Sequence, residues 1–164
     1  MRTRFPALAA SVLLLLSCSN AKAPPIERDY ALTQITDHVY VIHGPNENPN
    51  RTNQAFSNNP GFVLLRGGVV VIDPGSSVQV GEMVLRKIAT VTKDPIIAAF
   101  NTHIHGDHWL GNQAIKAAYP NAVIYAHPKM IEAIKAGEGD NWIKMMNAAT
   151  QGASRGTKAV APDL

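Results

Sequence analysis

Apolar positions recur with two different periods along this chain. Val39-Tyr40-Val41-Ile42 is a short β-branched and aromatic run closed by Gly44-Pro45, which predicts a strand. Residues 46–59 contain six asparagines and read as a long loop. Two apolar runs follow, Phe62 to Leu65 and Val69 to Ile72, split by Arg66-Gly67-Gly68, the pattern of a β-hairpin. The second run carries no polar residue and stops at Asp73-Pro74-Gly75. From Val80 the period changes. Val80, Val84, Ile88 and Val91 recur at helical spacing, with Glu82, Arg86 and Lys87 on other faces, so an amphipathic helix is expected. Ile96 to Phe100 and Ala122 to Ala126 read as strands, and residues 111–118 between them as a helix stopped before Pro120. Pro128 opens a helix running to about Ala136, and Asp140 is the expected cap of another reaching about Ala149. Residues 151–164 are rich in Gly, Ala and Pro and show no period. Strands alternating with helices predict an α/β layer fold, with functional groups in the loops that leave the strands.

The first 18 residues follow another pattern. Arg2 and Arg4 precede the apolar stretch Phe5 to Leu16, as in a signal peptide. Leu15-Leu16-Ser17-Cys18 resembles a bacterial lipobox, in which Cys18 is lipidated and becomes the mature N-terminus. A competing cleavage after Ala21-Lys22-Ala23 is disfavoured by Pro24. The expected organisation is a leader over 1–18, a polar tether over 19–34 and a folded part over 35–164. The expected address is the periplasm, as an outer-membrane lipoprotein. Hydrophobic residues make up 46% and charged residues 16%, a globular balance able to bury a core. The net charge of +3 falls to +1 once Arg2 and Arg4 are set aside, and no basic cluster with interleaved aromatics speaks for nucleic acid. A single cysteine excludes an internal disulfide and any multi-cysteine zinc finger. No phosphate-cradling glycine loop and no serine-hydrolase elbow is present.

The chemistry concentrates in residues 102–112, Thr-His-Ile-His-Gly-Asp-His-Trp-Leu-Gly-Asn. Imidazole nitrogen and carboxylate oxygen both suit zinc. His103 and His105, two apart in extended backbone, project to one side. After the turn at Gly106, Asp107 and His108 can point to a neighbouring position, close enough for a second ion. His38 and His43 flank a strand and are expected to be structural or exposed, Trp109 either walls the pocket or packs in the core, and Met130, Met145 and Met146 read as packing faces.

His103-x-His105-x-Asp107-His108 resembles the signature of the metallo-β-lactamase superfamily, and Val71-Ile72-Asp73-Pro74-Gly75 matches that family's aspartate-glycine turn upstream. The wording of the loop is most similar to exported relatives associated with quinoprotein systems, although Leu110-Gly111-Asn112 departs from the commoner glycine-glycine ending. The resemblance covers residues 35 to about 150 and implies an αββα sandwich of which the N-terminal half is present. It implies a dinuclear centre, with His103 and His105 on the first metal and Asp107 and His108 on the second. Asp107 is also the expected catalytic group, and Asp73 the residue that orients a ligand histidine or braces the turn. The family's remaining ligands, histidines and an aspartate, follow the motif by several tens of residues, but the sole later histidine is His127 and the only later aspartates are Asp140 and Asp163, none in the expected setting. The resemblance thus implies an exported zinc hydrolase, with two ions, acting through metal-activated water on an ester, thioester or amide (lactam) of a small molecule. The 164-residue chain alone is expected to be inactive. An iron-dependent oxidoreductase of the same fold and a non-catalytic metal-binding fragment are the alternatives.

Overall fold

The computed structural model describes residues 21–164; the expected leader and Cys18 lie outside the described residues. Six strands form one sheet whose spatial order is their chain order: β1 (Leu32–Gln34), β2 (Val39–Ile42), β3 (Gly61–Leu65), β4 (Gly68–Ile72), β5 (Ile96–Phe100) and β6 (Val123–Tyr125). The first four pair antiparallel, and β4, β5 and β6 pair parallel. Arg66 and Gly67 make the tight β3–β4 connection, with Gly67 at φ +86°, a left-handed geometry that glycine adopts without steric cost.

The parallel pairs need crossovers, and helices supply them. Helix α1 (Val78–Val91) joins β4 to β5; α2 (Gly106–Trp109) and α3 (Asn112–Ala118) join β5 to β6. Helix α1 begins two residues before the periodic pattern does. Ser77 caps it by accepting the Val80 N–H at 3.2 Å, and Thr157 accepts the Val78 N–H at 3.1 Å, so two orphan donors of the first turn are satisfied. After β6 come α4 (Pro128–Ala133), a π turn (Ile134–Glu138) and α5 (Gly139–Ala149). The helix expected to run to about Ala136 thus changes winding at Ile134, and Gly137 at φ +113° redirects the chain. Asp140, the expected cap, lies inside the first turn of α5.

Cross-strand registration gives the sheet two distinct faces. On one, the row Tyr40–Phe62–Val71–Ala99–Ile124 packs beneath Val80, Val84 and Ile88 of α1 and Ile115 of α3, forming the main core. On the other, two rows cross the sheet: Val39–Val63–Val70–Ala98–Val123, and Val41–Gly61–Ile72–Phe100–Tyr125. Both rows are apolar and partly exposed, with Phe100 44% accessible and stacked on Tyr125 at 4.9 Å. Val69 and Val71 of β4 point into the core, while Val70 and Ile72 lie in the apolar rows of the partly exposed face.

Two segments without a sequence period are nonetheless held. The expected tether contributes Ile26 and Tyr30 to the main core and then β1 to the sheet edge. The far end lies along β6. Asp163 N–H donates to the Ile124 carbonyl at 2.8 Å, Ala126 N–H to that of Leu164 at 2.7 Å, and the Asp163 carboxylate accepts from Ile124 N–H and Lys116. Burial alone would raise the Asp163 pKa, but Lys116 and the Ile124 N–H outweigh it and hold the carboxyl below its usual range. This pairing covers backbone groups that an open sheet edge would leave free. No helix among the described residues is long and apolar enough to cross a membrane.

The apolar outer face predicts association. The 164-residue chain should bind a hydrophobic dye and sediment heavier than its 17.6 kDa at micromolar concentration. Phe100→Lys, at an exposed position, should reduce both signals with little change in the unfolding midpoint. A monodisperse wild-type monomer that excludes the dye would refute this.

Candidate metal centre

Because β4 and β5 are parallel neighbours, the turns leaving their C-terminal ends meet. Asp73 N–H donates to the Phe100 carbonyl at 2.9 Å and extends the ladder by one bond. Asp73 sits at φ +50°, a left-handed conformation that aspartate tolerates better than most residues. In that geometry its buried carboxylate reaches across to the next turn. Oδ1 accepts the Thr102 N–H at 2.8 Å; Oδ2 accepts the Thr102 hydroxyl at 2.7 Å and the His108 Nδ1–H at 2.8 Å.

The Thr102 hydroxyl has one proton, and the carboxylate takes it. Thr102 Oγ1 therefore accepts from His103 Nδ1, 2.9 Å away, which leaves the lone pair of His103 on Nε2. One aspartate thus sets the tautomers of two histidines, directly for His108 and through Thr102 for His103. Burial pushes the Asp73 carboxyl up, but His108 and Thr102 outweigh it and its pKa is lowered. Burial pushes His108 down, but Asp73 and then Asp107 outweigh it and its pKa is raised. His103 is lowered, by burial and by repulsion from His108 and His105, so its neutral form is favoured.

Three imidazoles cluster here. The His103 ring centroid lies 4.7 Å from that of His105 and 4.0 Å from that of His108. His108 Nε2 faces Asp107 Oδ2 at 3.5 Å, and Ser57 from the asparagine-rich loop donates to the same oxygen at 3.5 Å. Trp142 of α5 lies 5.3 Å from the His105 ring, an approach open only because residue 106 is glycine: a Cβ there would meet Trp142 at 2.9 Å. Asp107, Trp142, Met145, Met146 and Pro49 line a cavity of about 300 Å³ beside the loop.

The loop is clamped at both ends. Asn101 and Asn112 exchange amide hydrogen bonds of 3.1 and 2.8 Å, and Gly111 N–H donates to Gly75 at 2.8 Å. A Cβ on Gly111 would lie 2.3 Å from the Pro74 carbonyl oxygen, so the Leu-Gly-Asn ending fits a close crossing of the two turns. Trp109 is fully buried and donates to the Ile104 carbonyl at 2.8 Å; it packs in the second core cluster instead of walling the cavity.

The fold gathers Asp73, His103, His105, Asp107 and His108 and leaves the other candidates elsewhere. His127 caps α4 by accepting the Lys129 N–H, His43 pairs with Thr33 on the sheet edge, and Asp163 pairs with Lys116. Ser57, Asn101, Thr102 and Asn112 emerge only from the structure. Single polar residues next to a turn carry no spacing signal, although Asn101-Thr102 directly before the histidines was a place to look. The donor types suit zinc. Among the described residues, however, no three His, Cys, Asp or Glu side chains converge as a complete metal-holding group.

Comparison with known proteins bears on the family and the fold. The family model of the metallo-beta-lactamase superfamily matches residues 54–153, so the chain belongs to that superfamily. A hydroxyacylglutathione hydrolase of Acaryochloris marina (strain MBIC 11017) is 40% identical over 74 residues, 43% of this chain and 27% of the relative. One from Synechococcus sp. (strain JA-2-3B'a(2-13)) is 37% identical over 109 residues, 62% of this chain and 34% of the relative. The chain therefore spans about a third of the length of these relatives. Among solved structures, a metallo-beta-lactamase from Pontibacter korlensis superposes with a TM-score of 0.53 at 18% identity, over 66% of this chain and 48% of the other. The DIM-1 metallo-beta-lactamase gives 0.51 at 16%, over 72% and 50%.

The Asp73 network predicts a specific stability pattern. Asp73→Asn keeps the left-handed turn but loses the charge, and should cost about 2 kcal/mol in urea unfolding at pH 6. Asp73→Ala should cost about 1 kcal/mol more, since alanine is strained at that φ. With Asp73 lowered from 3.8 and His108 raised from 6.5, the pair contributes fully between those values. Its contribution fades as pH falls through the Asp73 value or rises through the His108 value. Equal pH profiles for wild type and Asp73→Asn would count against this network.

Proposed function

We propose that this member of the metallo-β-lactamase superfamily carries the metal-binding loop of an exported zinc hydrolase whose substrate is an acyl compound, a thioester first. The clustering of His103, His105 and His108 with Asp107 supports the metal reading. The thioester reading draws on relatives named hydroxyacylglutathione hydrolase, whose named substrate is an acylated thiol peptide.

In this reading His103 and His105 bind one ion and Asp107 with His108 a second, and the coordination is completed by donors beyond those that converge among the described residues. When bound, zinc polarises a carbonyl and lowers the pKa of water to about 7. The chain's own residues prepare the donors. Asp73 holds the proton on His108 Nδ1, and Thr102 holds it on His103 Nδ1, so both rings offer Nε2. Ser57 donates to Oδ2 of Asp107, and in this reading Asp107 takes a proton from the attacking water. The cavity walled by Trp142, Met145 and Met146 receives the apolar part of the acyl group, with methionine able to adapt to its shape.

The test is metal analysis by mass spectrometry after expression without added zinc, with thioester turnover measured alongside. His103→Ala and His105→Ala should each lower retained zinc at least about tenfold, since catalytic sites normally take three protein ligands. Once the coordination is complete, an acyl-glutathione should be cleaved faster than the matching oxygen ester, whereas the 164-residue chain alone should turn over neither. Iron in place of zinc would favour the oxidoreductase, and equal metal content in wild type and His105→Ala would overturn the proposal.

We propose also that Cys18 is lipidated after export, a reading supported by the apolar run ending in Leu-Ser-Cys. Cys18→Ser should block processing or release the protein from the membrane fraction, because stable anchoring needs more than one acyl chain at that residue. Unchanged processing and fractionation would sink it.

A further inference from the structure

Three segments distant in sequence line a second cleft, of about 510 Å³, to which no residue of the histidine loop contributes. Residues 23–28 form one wall, 51–54 another and 151–155 the third. Each wall brings an arginine: Arg28, Arg51 and Arg155. Glu27 is the one carboxylate among the lining residues, and Gln54 and Gln151 add carboxamides. We propose that this cleft binds a small polyanion, a molecule carrying two or more phosphate or carboxylate groups.

The charge arrangement carries the proposal. Three like charges around one cavity repel each other unless an anion is shared between them. The structure supplies none: among the described residues the ion pairs are Lys22–Glu82, Lys87–Asp29, Lys116–Asp163 and the His108 contacts, and none involves arginine. Of the acidic groups nearby, Glu82 and Asp29 are taken by lysines, while Glu27 and Glu47 form no ion pair among the described residues. Among the described residues the guanidiniums make only weaker contacts. Arg28 lies over the Tyr30 ring at 4.9 Å, Arg51 donates to the Gln151 side chain at 3.5 Å, and Arg155 Nε donates to the Ala21 carbonyl at 3.4 Å. A planar fork of five donors suits the paired oxygens of carboxylate and phosphate. The volume lies within the range of small-molecule sites.

The cleft also has a fixed base. Buried Gln79 of α1 donates to the carbonyls of Ala23 at 3.2 Å and Arg155 at 2.8 Å, and Ala23 N–H donates to Arg155 at 2.9 Å. Gln54 donates to the Pro24 carbonyl at 3.1 Å. Two opposite walls are therefore tied to one buried side chain, so the charges are presented by anchored backbone.

Calorimetric titration of the 164-residue chain tests this, with inorganic pyrophosphate and citrate as probes, after any metal has been removed on a chelating resin so that no competing polycarboxylate remains in solution. At least one anion should bind with a Kd below about 1 mM at low salt. Arg51→Gln and Arg155→Gln should each weaken it about tenfold, the effect of one charge-assisted hydrogen bond, and Glu27→Gln should strengthen it. Binding of pyrophosphate alone assigns a phosphate ligand, and of citrate alone a carboxylate. All three positions are exposed, so the unfolding midpoint should not change. Failure of both anions to bind overturns the proposal. So does binding that survives the double variant Arg51→Gln/Arg155→Gln, which would place the anion at the histidine loop.

Discussion

A single buried carboxylate joins the two turns on which the candidate metal centre is built. Asp73 ends the strand that lies at the middle of the sheet, and its oxygens are the partners of Thr102 and His108 in the turn of the neighbouring strand. Without that connection β4 and β5 would still pair and the ends of the histidine loop would still be clamped, but Thr102 and His108 would lose the group that orients them. The cost of burying the charge is offset by two N–H donors and a hydroxyl, so the network is fully satisfied where a partial one would be a liability. The left-handed backbone at Asp73 follows from the same requirement, since it turns the side chain sideways toward β5.

The rest of the site depends on how closely the surrounding elements approach. Gly111 lets the start of α3 touch the Pro74 carbonyl, and Gly81 lets α1 approach the same turn, where a Cβ would meet the Gly111 carbonyl oxygen at 2.6 Å. The Asn101–Asn112 pair then closes the loop at its base. Small residues and reciprocal amides hold the loop between packed elements, so the imidazoles are positioned by backbone that cannot easily move. A site that must meet a metal with accurate geometry benefits from this rigidity.

Much of this was legible in the sequence, and for identifiable reasons. The hairpin from Phe62 to Ile72, the helix through Val80 and Ile88 and the strand from Ile96 to Phe100 all follow from periodic burial, which is a local signal. The histidine motif was legible because its members lie within six positions of one another. Strand β1 was not: Leu32-Thr33-Gln34 is three residues long and owes its conformation to β2. Nor were Ile26 and Tyr30 readable as core, because their partners lie tens of residues away. The break at Ile134 reflects Gly137, whose position within an alanine-rich stretch gave no indication of which way the helix would turn. Thr102 and Ser57 were invisible for a related reason. Their importance comes from which atoms they meet, and hydroxyl residues are common everywhere.

The strand order carries a kinetic consequence. Each strand from β2 to β6 pairs with the one made immediately before it, and no strand inserts between two others. Such a sheet can grow in one direction, every new strand finding its template already in place, so loop-closure entropy is spent in small steps. Among the exceptions are the contacts between Ala23, Gln79 and Arg155, which join segments far apart in the chain and cannot form until the turn at Arg155 has been made. Slow amide exchange at Ala23 would therefore report that the segments around residues 23, 79 and 155 have come together, and would distinguish that state from one still assembling its sheet.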